Sequence, residues 1–340
     1  MNRRTLLAGA SALLCGSAGA QVRQKKKDRT MVITPDTLLS EIARSSAFEG
    51  RGRLILPRWE DEADLPLKAA GRLMPWHGHL NPVEMAEALN ALLRDFEKGN
   101  RVLYPFYDEA TARRDPERAK TGLFFFRGKP GAPFAVICPG GGFVYVGSLH
   151  EGFPIARALA KKGFNAFVLR YREGGARPAM EDLAAAVTWI FRNAKALGVS
   201  TRCYSAWGGS AGARMAAYLG SYGPAEFGGG ALPRPGFVNV NYTGHTDWTP
   251  ADPPTYTTVS RNDPIASWRT MQWRLDAMRR AGIPVKLKLC QSAGHGFGLG
   301  TGTDAEGWLD EAASFWEETI RSEKRAEACH ATKWGSPSAT

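Results

Sequence analysis

The most constraining feature of this chain is a G-x-S-x-G motif, GGSAG at 208–212. The apolar segment at 203–207 is typical of a β-strand, and the segment at 214–219 is typical of a helix. A turn this tight between strand and helix holds its serine in strained dihedral angles and leaves no room for side chains two residues to either side. The motif therefore predicts an exposed hydroxyl, that of Ser210, at the end of a buried strand.

A serine hydroxyl is a poor nucleophile at neutral pH, so it needs a histidine base and an acid that orients the base. Two histidines follow Ser210 closely enough to be considered, His245 and His295. His295 lies in the glycine-rich segment GHGFG, directly after an alternating segment at 285–290 that is typical of a strand. We therefore predict His295 as the base. The alternative interpretation is a loop histidine that only caps the next helix.

The orienting acid is expected between the serine and the histidine, directly after a strand. The β-branched and aromatic segment at 254–260 predicts a strand, and Asn-Asp-Pro at 262–264 predicts the turn that ends it. We predict Asp263 as the acid, although turns of this composition often contain an aspartate with no catalytic role. Asp247 is the second candidate and Asp252 the third.

A glycine-rich segment upstream supplies candidate donors for an oxyanion. PGGGF at 139–143 follows a continuous apolar run at 134–138, which is typical of a strand buried in a parallel sheet. Glycines allow backbone amides to approach a developing negative charge, and each such donor contributes about 3 kcal/mol of transition-state stabilisation. We predict the amides of Gly141, Gly142 and Ala211, the last because it follows the nucleophile. The alternative is a flexible turn.

Together these motifs resemble those of α/β-hydrolases of the esterase branch, which includes hormone-sensitive-lipase-like enzymes and bifunctional acetyl/feruloyl carbohydrate esterases. The strand FNAFVLRYR at 164–172 and the helix EDLAAA at 181–186 extend the similarity, which covers roughly two-thirds of the chain. The resemblance implies an α/β-hydrolase fold, with a mostly parallel central sheet and helices on both faces. It also implies a triad of Ser210, His295 and Asp263.

The resemblance further implies hydrolysis of acetyl or feruloyl esters on carbohydrate, with no metal and no cofactor. One departure limits what it implies about the substrate. Many relatives have a histidine before the oxyanion glycines, whereas Cys138 and Pro139 occupy these positions here. Trp248 and Trp268 lie beside loops expected near the site, and we predict that they contact the substrate by stacking on sugar.

Three other functions remain open. A serine peptidase of the prolyl-oligopeptidase type shares the fold, but the chain has no room for the expected propeller domain. A lipase for long acyl chains would need an extended apolar lid, which residues 31–100 do not clearly provide. The third alternative is a carbohydrate-binding homologue without activity.

The first twenty residues predict an export signal. Arg3 and Arg4 precede a short apolar core, and an A-x-A cleavage signal ends at Ala20. Paired arginines are typical of twin-arginine export of folded proteins, and Sec export is the alternative. We expect a periplasmic or secreted protein with the domain organisation that follows: a signal peptide at 1–20, a basic disordered leader at 21–30, an N-terminal extension or lid at 31–100, a catalytic domain at 101–325 and a polar tail at 326–340.

The formal net charge of +11 is concentrated in part at the start of the mature chain. No basic helix or aromatic-basic platform accompanies this charge, so we predict no nucleic-acid partner, and the apolar core of the signal is too short to span a membrane. The sequence does not predict an oligomeric state. Cys138, Cys203 and Cys290 fall on predicted strands, where thiols pack as small apolar groups, so we expect no structural disulfide.

Two further motifs suggest ligands but favour simpler interpretations. His77 and His79 have the H-x-H spacing of some metal sites, yet no third and fourth ligands are nearby, so we interpret them as loop or packing residues. The segment at 300–305 fits G-x-G-x-x-A, a dinucleotide-binding pattern, but the histidine loop precedes it instead of a strand. We interpret this segment as the N-terminal turn of the last helix, with Asp304 favouring the helix dipole. Trp308 and Trp316 on that helix are predicted to be core residues.

Overall fold

The computed structural model describes the backbone of residues 31–333 and the side chains of residues 31–325. The predicted export signal and basic leader therefore lie outside the described residues, as does the end of the predicted tail. Residues 32–333 belong to one compact unit, so the region at 32–100 is not a separate body.

Eight strands of the described chain form one sheet. Their bounds are β1 (Leu103–Tyr104), β2 (Gly122–Phe126), β3 (Pro133–Cys138), β4 (Asn165–Arg170), β5 (Ser200–Gly209), β6 (Phe237–Asn241), β7 (Thr255–Ser260) and β8 (Val285–Cys290). Across the sheet they follow the order β1-β2-β4-β3-β5-β6-β7-β8. β2 is antiparallel to β1 and β4, and all other neighbours are parallel.

Helices surround the sheet. The α-helices in the described part of the chain are α1 (Leu39–Ala43), α2 (Pro82–Glu97), α3 (Glu109–Arg114), α4 (Phe153–Lys161), α5 (Ala176–Leu197), α6 (Ser210–Tyr222), α7 (Trp268–Arg280) and α8 (Trp308–Lys333). Every residue of β4 is buried, as expected for a strand covered on both faces. A mostly parallel sheet covered by helices confirms the predicted fold class. Within residues 31–333, no helix combines the length and apolar character needed to cross a bilayer.

The parallel pairing determines where the loops meet. Cys138 pairs with Gly208, and Gly209 pairs with Asn241, so β3, β5 and β6 end at the same edge of the sheet. Ser260 pairs with Cys290, which adds the ends of β7 and β8 to this edge. Ligands of open α/β sheets bind outside the carboxyl ends of the strands. The glycine-rich loop, the serine turn, the Asn-Asp-Pro turn and the histidine loop therefore all lie at this edge.

The region at 31–100 wraps around this core. Its main element, α2, begins with Pro82 and is capped by Asn81, whose side chain accepts hydrogen bonds from the amides of Val83 and Glu84. α2 packs against α4. The loop that precedes α2 extends to the carboxyl edge of the sheet, where Gly78 donates a backbone hydrogen bond to the carbonyls of His295 and Gly296.

Several predicted elements differ in their bounds. β1 contains only two residues, because Pro105, which follows it, has no amide hydrogen for the sheet. α8 begins at Trp308 and continues beyond residue 326, where a tail was predicted. Asp304 therefore does not act on the helix dipole; its carboxylate accepts hydrogen bonds from the amides of Gln291 and Ser292 instead.

The prediction that Trp308 and Trp316 are core residues is confirmed. Trp308 and Trp316 are fully buried. Cys138, Cys203 and Cys290 are free thiols in the described residues.

Candidate active site

Ser210 lies at the junction of β5 and α6 in a strained conformation. Its φ angle is +52°, in the left-handed region that few residues other than glycine adopt. The glycines beside it are required by close packing. A Cβ on Gly208 would lie 2.2 Å from the carbonyl carbon of Gly212, and a Cβ on Gly212 would lie 1.8 Å from the carbonyl oxygen of Cys138. The strand-turn-helix motif thus holds the serine rigidly at the edge of the sheet.

The structure brings Ser210, His295 and Asp263 into a hydrogen-bonded chain. Nε2 of His295 lies 3.0 Å from Oγ of Ser210. Nδ1 of the same ring lies 2.8 Å and 3.0 Å from the two carboxylate oxygens of Asp263. Because a carboxylate can only accept, the imidazole carries its proton on Nδ1 and leaves Nε2 free to accept the serine proton. This is the arrangement that a serine nucleophile and its base require.

The acid is fixed by its own turn. Oδ1 of Asp263 accepts hydrogen bonds from the amides of Ile265 and Ala266, both at 2.8 Å. The neighbouring Asn262 connects this turn to the histidine loop, since its Oδ1 accepts a hydrogen bond from the amide of Gly294 at 2.9 Å. The turn after β7 and the loop after β8 are therefore held together independently of the triad.

The other candidates have different partners. Asp252 pairs with the buried Arg274 at 3.0 Å. Asp247 lies 3.4 Å from the hydroxyl of Tyr218, and His245 packs edge-on against the ring of that tyrosine. Within the described part of the chain, none of the three makes a hydrogen bond or ion pair with Ser210 or His295.

The glycine loop after β3 borders the same site. Gly141 has a φ of +128° and Gly142 a φ of +63°, so both need the freedom of glycine. Within the described residues, their amides donate no hydrogen bond, and Ala211 is the second residue of α6, where an amide has no partner inside the helix. The amide of Gly140, in contrast, donates to Glu151 at 2.6 Å. The three predicted donors therefore remain available for an oxyanion.

A cavity of about 360 Å³ opens beside the serine. It is lined by Trp76, His77, Gly141, Gly142, Ser210, Ile265 and His295. Trp248 and Trp268, the predicted substrate contacts, are not among the residues that line this cavity. Trp248 packs against the apolar cluster of Leu275, Met278 and Ile283, and Trp268 lies against the guanidinium groups of Arg261 and Arg269.

Trp76 is the tryptophan that lines this cavity. Its side chain is 42% exposed, stacks on Tyr145 with ring centroids 5.3 Å apart, and lies against Gly142, where a Cβ would come within 2.6 Å of the indole. The sequence marked this segment only by its H-x-H spacing. His77 in fact lies 3.1 Å from the carboxylate of Glu151 and 2.9 Å from the hydroxyl of Tyr145. Among the described side chains, no group of three or more His, Cys, Asp or Glu could hold a metal ion.

Two buried histidines make stability depend on pH. Burial, together with the charge of His77, lowers the pKa of His150 from 6.5 to about 4. Burial and the charge of Arg274 lower the pKa of His245 to about 4 as well. The fold favours the neutral rings, whereas the unfolded chain takes up protons near pH 6.5. The free energy of unfolding is therefore expected to fall as the pH drops from 6.5 to 4.5, by about 2 kcal/mol for each histidine.

Urea denaturation monitored by tryptophan fluorescence at several pH values between 7.5 and 4.5 measures this loss. A His150→Gln variant should show about half the decline, since one of the two titrating rings is gone. A free energy of unfolding that stays constant or rises below pH 6.5 contradicts the prediction.

A strained serine elbow, a histidine loop and a glycine-rich loop at the carboxyl edge of a mostly parallel sheet define an α/β-hydrolase. The BD-FAE family model matches residues 127–230, which contain the glycine loop and Ser210. This match agrees with the resemblance to acetyl/feruloyl esterases that the motifs indicate. No curated protein sequence matches the chain.

Solved structures share the fold at low sequence identity. The propionate-bound esterase Est2 from the planctomycete Thermogutta terrifontis is 20% identical, with a TM-score of 0.54, over 64% of this chain and 93% of that one. An acetyl ester-xyloside bifunctional hydrolase from Caldicellulosiruptor lactoaceticus is 19% identical, with a TM-score of 0.54, over 65% and 96%. A sugar hydrolase from Lactococcus lactis is 21% identical, with a TM-score of 0.52, over 59% and 95%.

Proposed function

We propose that this protein is a serine esterase that hydrolyses short acyl esters, acetyl or feruloyl, on carbohydrate. The observation that carries the proposal is the unbroken chain from Oγ of Ser210 through the His295 ring to Asp263, with distances of 3.0 Å and 2.8 Å. The unpaired amides beside Ser210 complement this chain, because they can stabilise a negative oxygen.

The reaction follows from these positions. His295 takes the hydroxyl proton of Ser210 on Nε2 while Oγ bonds to the ester carbonyl carbon. The carbonyl oxygen becomes an oxyanion that accepts hydrogen bonds from Gly141, Gly142 and Ala211. The bond to the alcohol then breaks, and the alcohol leaves with the proton from His295. Water repeats these steps on the acyl-enzyme and releases the acid, so the cycle needs no metal and no cofactor.

The choice of substrate rests on the cavity and on the comparisons. A space of about 360 Å³ beside Ser210 suits a small acyl group. The BD-FAE match and the acetyl ester-xyloside hydrolase among the similar structures both favour acylated carbohydrate. The exposed face of Trp76 offers a sugar the flat apolar surface on which it stacks.

The proposal is tested with a panel of esters and one covalent probe. The purified protein should release p-nitrophenolate from p-nitrophenyl acetate, release acetate from acetylated xylan, and act poorly on p-nitrophenyl palmitate. A fluorophosphonate should label it, and mass spectrometry should locate the adduct on Ser210. Preference for palmitate would favour a lipase, cleavage of a peptide substrate alone would favour a peptidase, and absence of both turnover and labelling would leave a binding protein.

Export is part of the proposal and has its own test. Because an A-x-A signal ends at Ala20, protein recovered from outside the cytoplasm should begin at Gln21. A mature chain that retains Met1 would contradict this.

We expect Trp76→Ala to impair action on carbohydrate more than action on a small ester. Loss of one stacking contact should raise KM for acetylated xylo-oligosaccharides by about 10-fold, while kcat/KM for p-nitrophenyl acetate should change by less than about threefold. Trp273→Ala is the matched control, because Trp273 is 58% exposed and does not line the cavity. Equal effects of the two substitutions on the oligosaccharides would contradict a role for Trp76.

A further inference from the structure

Glu151 is a fully buried carboxylate beside the site that the reaction described above does not use. It lies in a short π-helical turn, Ser148–Gly152, between β3 and α4, and is 1% exposed. A buried charge is costly unless several partners compensate it. The partners of Glu151 come from the three other segments that build the site.

The first partner belongs to the glycine loop. Oε2 of Glu151 accepts a hydrogen bond from the amide of Gly140 at 2.6 Å. The same oxygen packs against the elbow, since a Cβ on Gly209 would lie only 2.7 Å from it. The carbonyl of Gly140 in turn accepts the amide of Gly147, which lies in the turn that leads to Glu151. The carboxylate thus fixes the peptide unit directly before the oxyanion donors.

The second partner packs against the histidine loop. The hydroxyl of Tyr242 donates to Oε1 of Glu151 at 2.9 Å. The ring of Tyr242 packs edge-on against His295, with centroids 5.1 Å apart, and against Phe297, at 4.6 Å. Its φ of +33° is strained for a tyrosine, so surrounding contacts must hold it in place.

The third partner comes from the N-terminal region. Nε2 of His77 lies 3.1 Å from Oε1 of Glu151, within ion-pair distance but without the alignment of a hydrogen bond. The next residue, Gly78, donates its amide to the carbonyls of His295 and Gly296. Burial would raise the pKa of Glu151, but the charge of His77 and the hydrogen bond from the Gly140 amide outweigh it and lower that pKa to about 2.

We propose that Glu151 is a positioning residue that holds the glycine loop at 139–143 and the histidine loop at 294–298 in the relative placement that acyl transfer requires. It touches no reacting atom. It acts through the Gly140 amide on the oxyanion donors and through Tyr242 on the packing of His295. The expected loss of kcat rests on the proposed function, whereas the role of Glu151 in holding the two loops does not depend on it.

The central test is Glu151→Gln, which keeps the size but removes the charge and one acceptor oxygen. Displaced oxyanion donors stabilise the transition state less, while the binding of the substrate is almost unaffected. We expect kcat for p-nitrophenyl acetate to fall by about 10²-fold, with KM within about threefold of the wild-type value. The inhibition constant of a trifluoromethyl ketone, which forms the tetrahedral adduct, should rise by the same factor. Tyr242→Phe removes one of the contacts and should show a smaller loss of the same kind.

Asp182→Asn is the matched control for loss of a buried carboxylate. Asp182 is also fully buried. It accepts a hydrogen bond from the hydroxyl of Tyr107 at 2.6 Å and forms an ion pair with Arg172. Among the described residues, its hydrogen bonds and ion pairs go to Tyr107 and Arg172, outside the glycine and histidine loops. We expect this variant to lose stability while its kcat and its affinity for the ketone stay within about twofold of wild type.

Amide hydrogen exchange provides a readout that does not depend on turnover. In Glu151→Gln, peptides covering 139–147 and 293–298 should exchange faster, while those covering α5 should not. Unchanged exchange in both loops overturns the inference, whether or not the protein hydrolyses esters. An equal kinetic loss in Asp182→Asn also overturns it. A wild-type protein that cleaves no ester would instead refute the proposed function, and the exchange measurement would still decide the role of Glu151.

Discussion

Replacement of Ser210 by alanine is expected to lower kcat for p-nitrophenyl acetate by about 10⁶-fold. The substitution removes Oγ, which lies 3.0 Å from Nε2 of His295 and would form the acyl-enzyme, so the remaining rate should reflect binding and the oxyanion donors. Steady-state release of p-nitrophenolate, normalised to folded protein, measures the effect. Labelling by the fluorophosphonate should disappear in the same variant.

Ser221→Ala is the control for this experiment. Ser221 lies on the same helix, is fully buried, and its hydroxyl has no hydrogen-bond partner among the described residues. Its loss should leave kcat within about twofold of wild type. A Ser210→Ala protein that retained most of its activity would place the nucleophile elsewhere.

Replacement of Asp263 by asparagine is expected to lower kcat by about 10⁴-fold. The carboxylate accepts a hydrogen bond from Nδ1–H of His295, whereas an asparagine amide can donate to Nδ1 and favour the tautomer with its proton on Nε2. An imidazole in that tautomer cannot accept the proton of Ser210. The rate of fluorophosphonate labelling should fall together with kcat, because both reactions need the same activated hydroxyl.

Asp247→Asn distinguishes the two leading candidates for the acid. A carboxylate oxygen of Asp247 lies 3.4 Å from the hydroxyl of Tyr218, whereas in the described part of the chain the His295 ring nitrogens bond to Asp263 and Ser210, so replacement of Asp247 should leave kcat nearly unchanged. A loss in Asp247→Asn that equals or exceeds the loss in Asp263→Asn would show that Asp263 is not the acid.

Local patterns predicted the elements that carry the triad. The apolar run before GGSAG forms β5, and its last residue, Gly209, directly precedes α6. The β-branched segment before Asn-Asp-Pro forms β7, and the alternating segment before GHGFG forms β8. Each of these signals depends on neighbouring residues only, because strand propensity, glycine conformation and turn chemistry act over a few positions. Parallel pairing then brings the ends of the strands together.

The choice of the aromatic residue beside the serine could not be made in this way. Trp248 and Trp268 lie close in the chain to Asp263. The side chain of Trp248, however, packs on an apolar cluster, and that of Trp268 lies against two guanidinium groups. Trp76 is 134 positions before Ser210 and reaches the cavity because its loop docks on the histidine loop through Gly78. Proximity in sequence was therefore a poor guide to proximity in space.

The amino-acid sequence by itself determined the fold class, the serine elbow, and the candidate residues Ser210, Asp263 and His295. Each is specified by a short segment whose conformation is largely local. Only the tertiary structure decided that Trp76 lines the cavity and that Glu151 connects the glycine loop, Tyr242 and His77. These contacts join segments that are far apart in the chain. Their formation depends on how strands pair and helices pack, because a buried carboxylate becomes stable only when distant partners surround it.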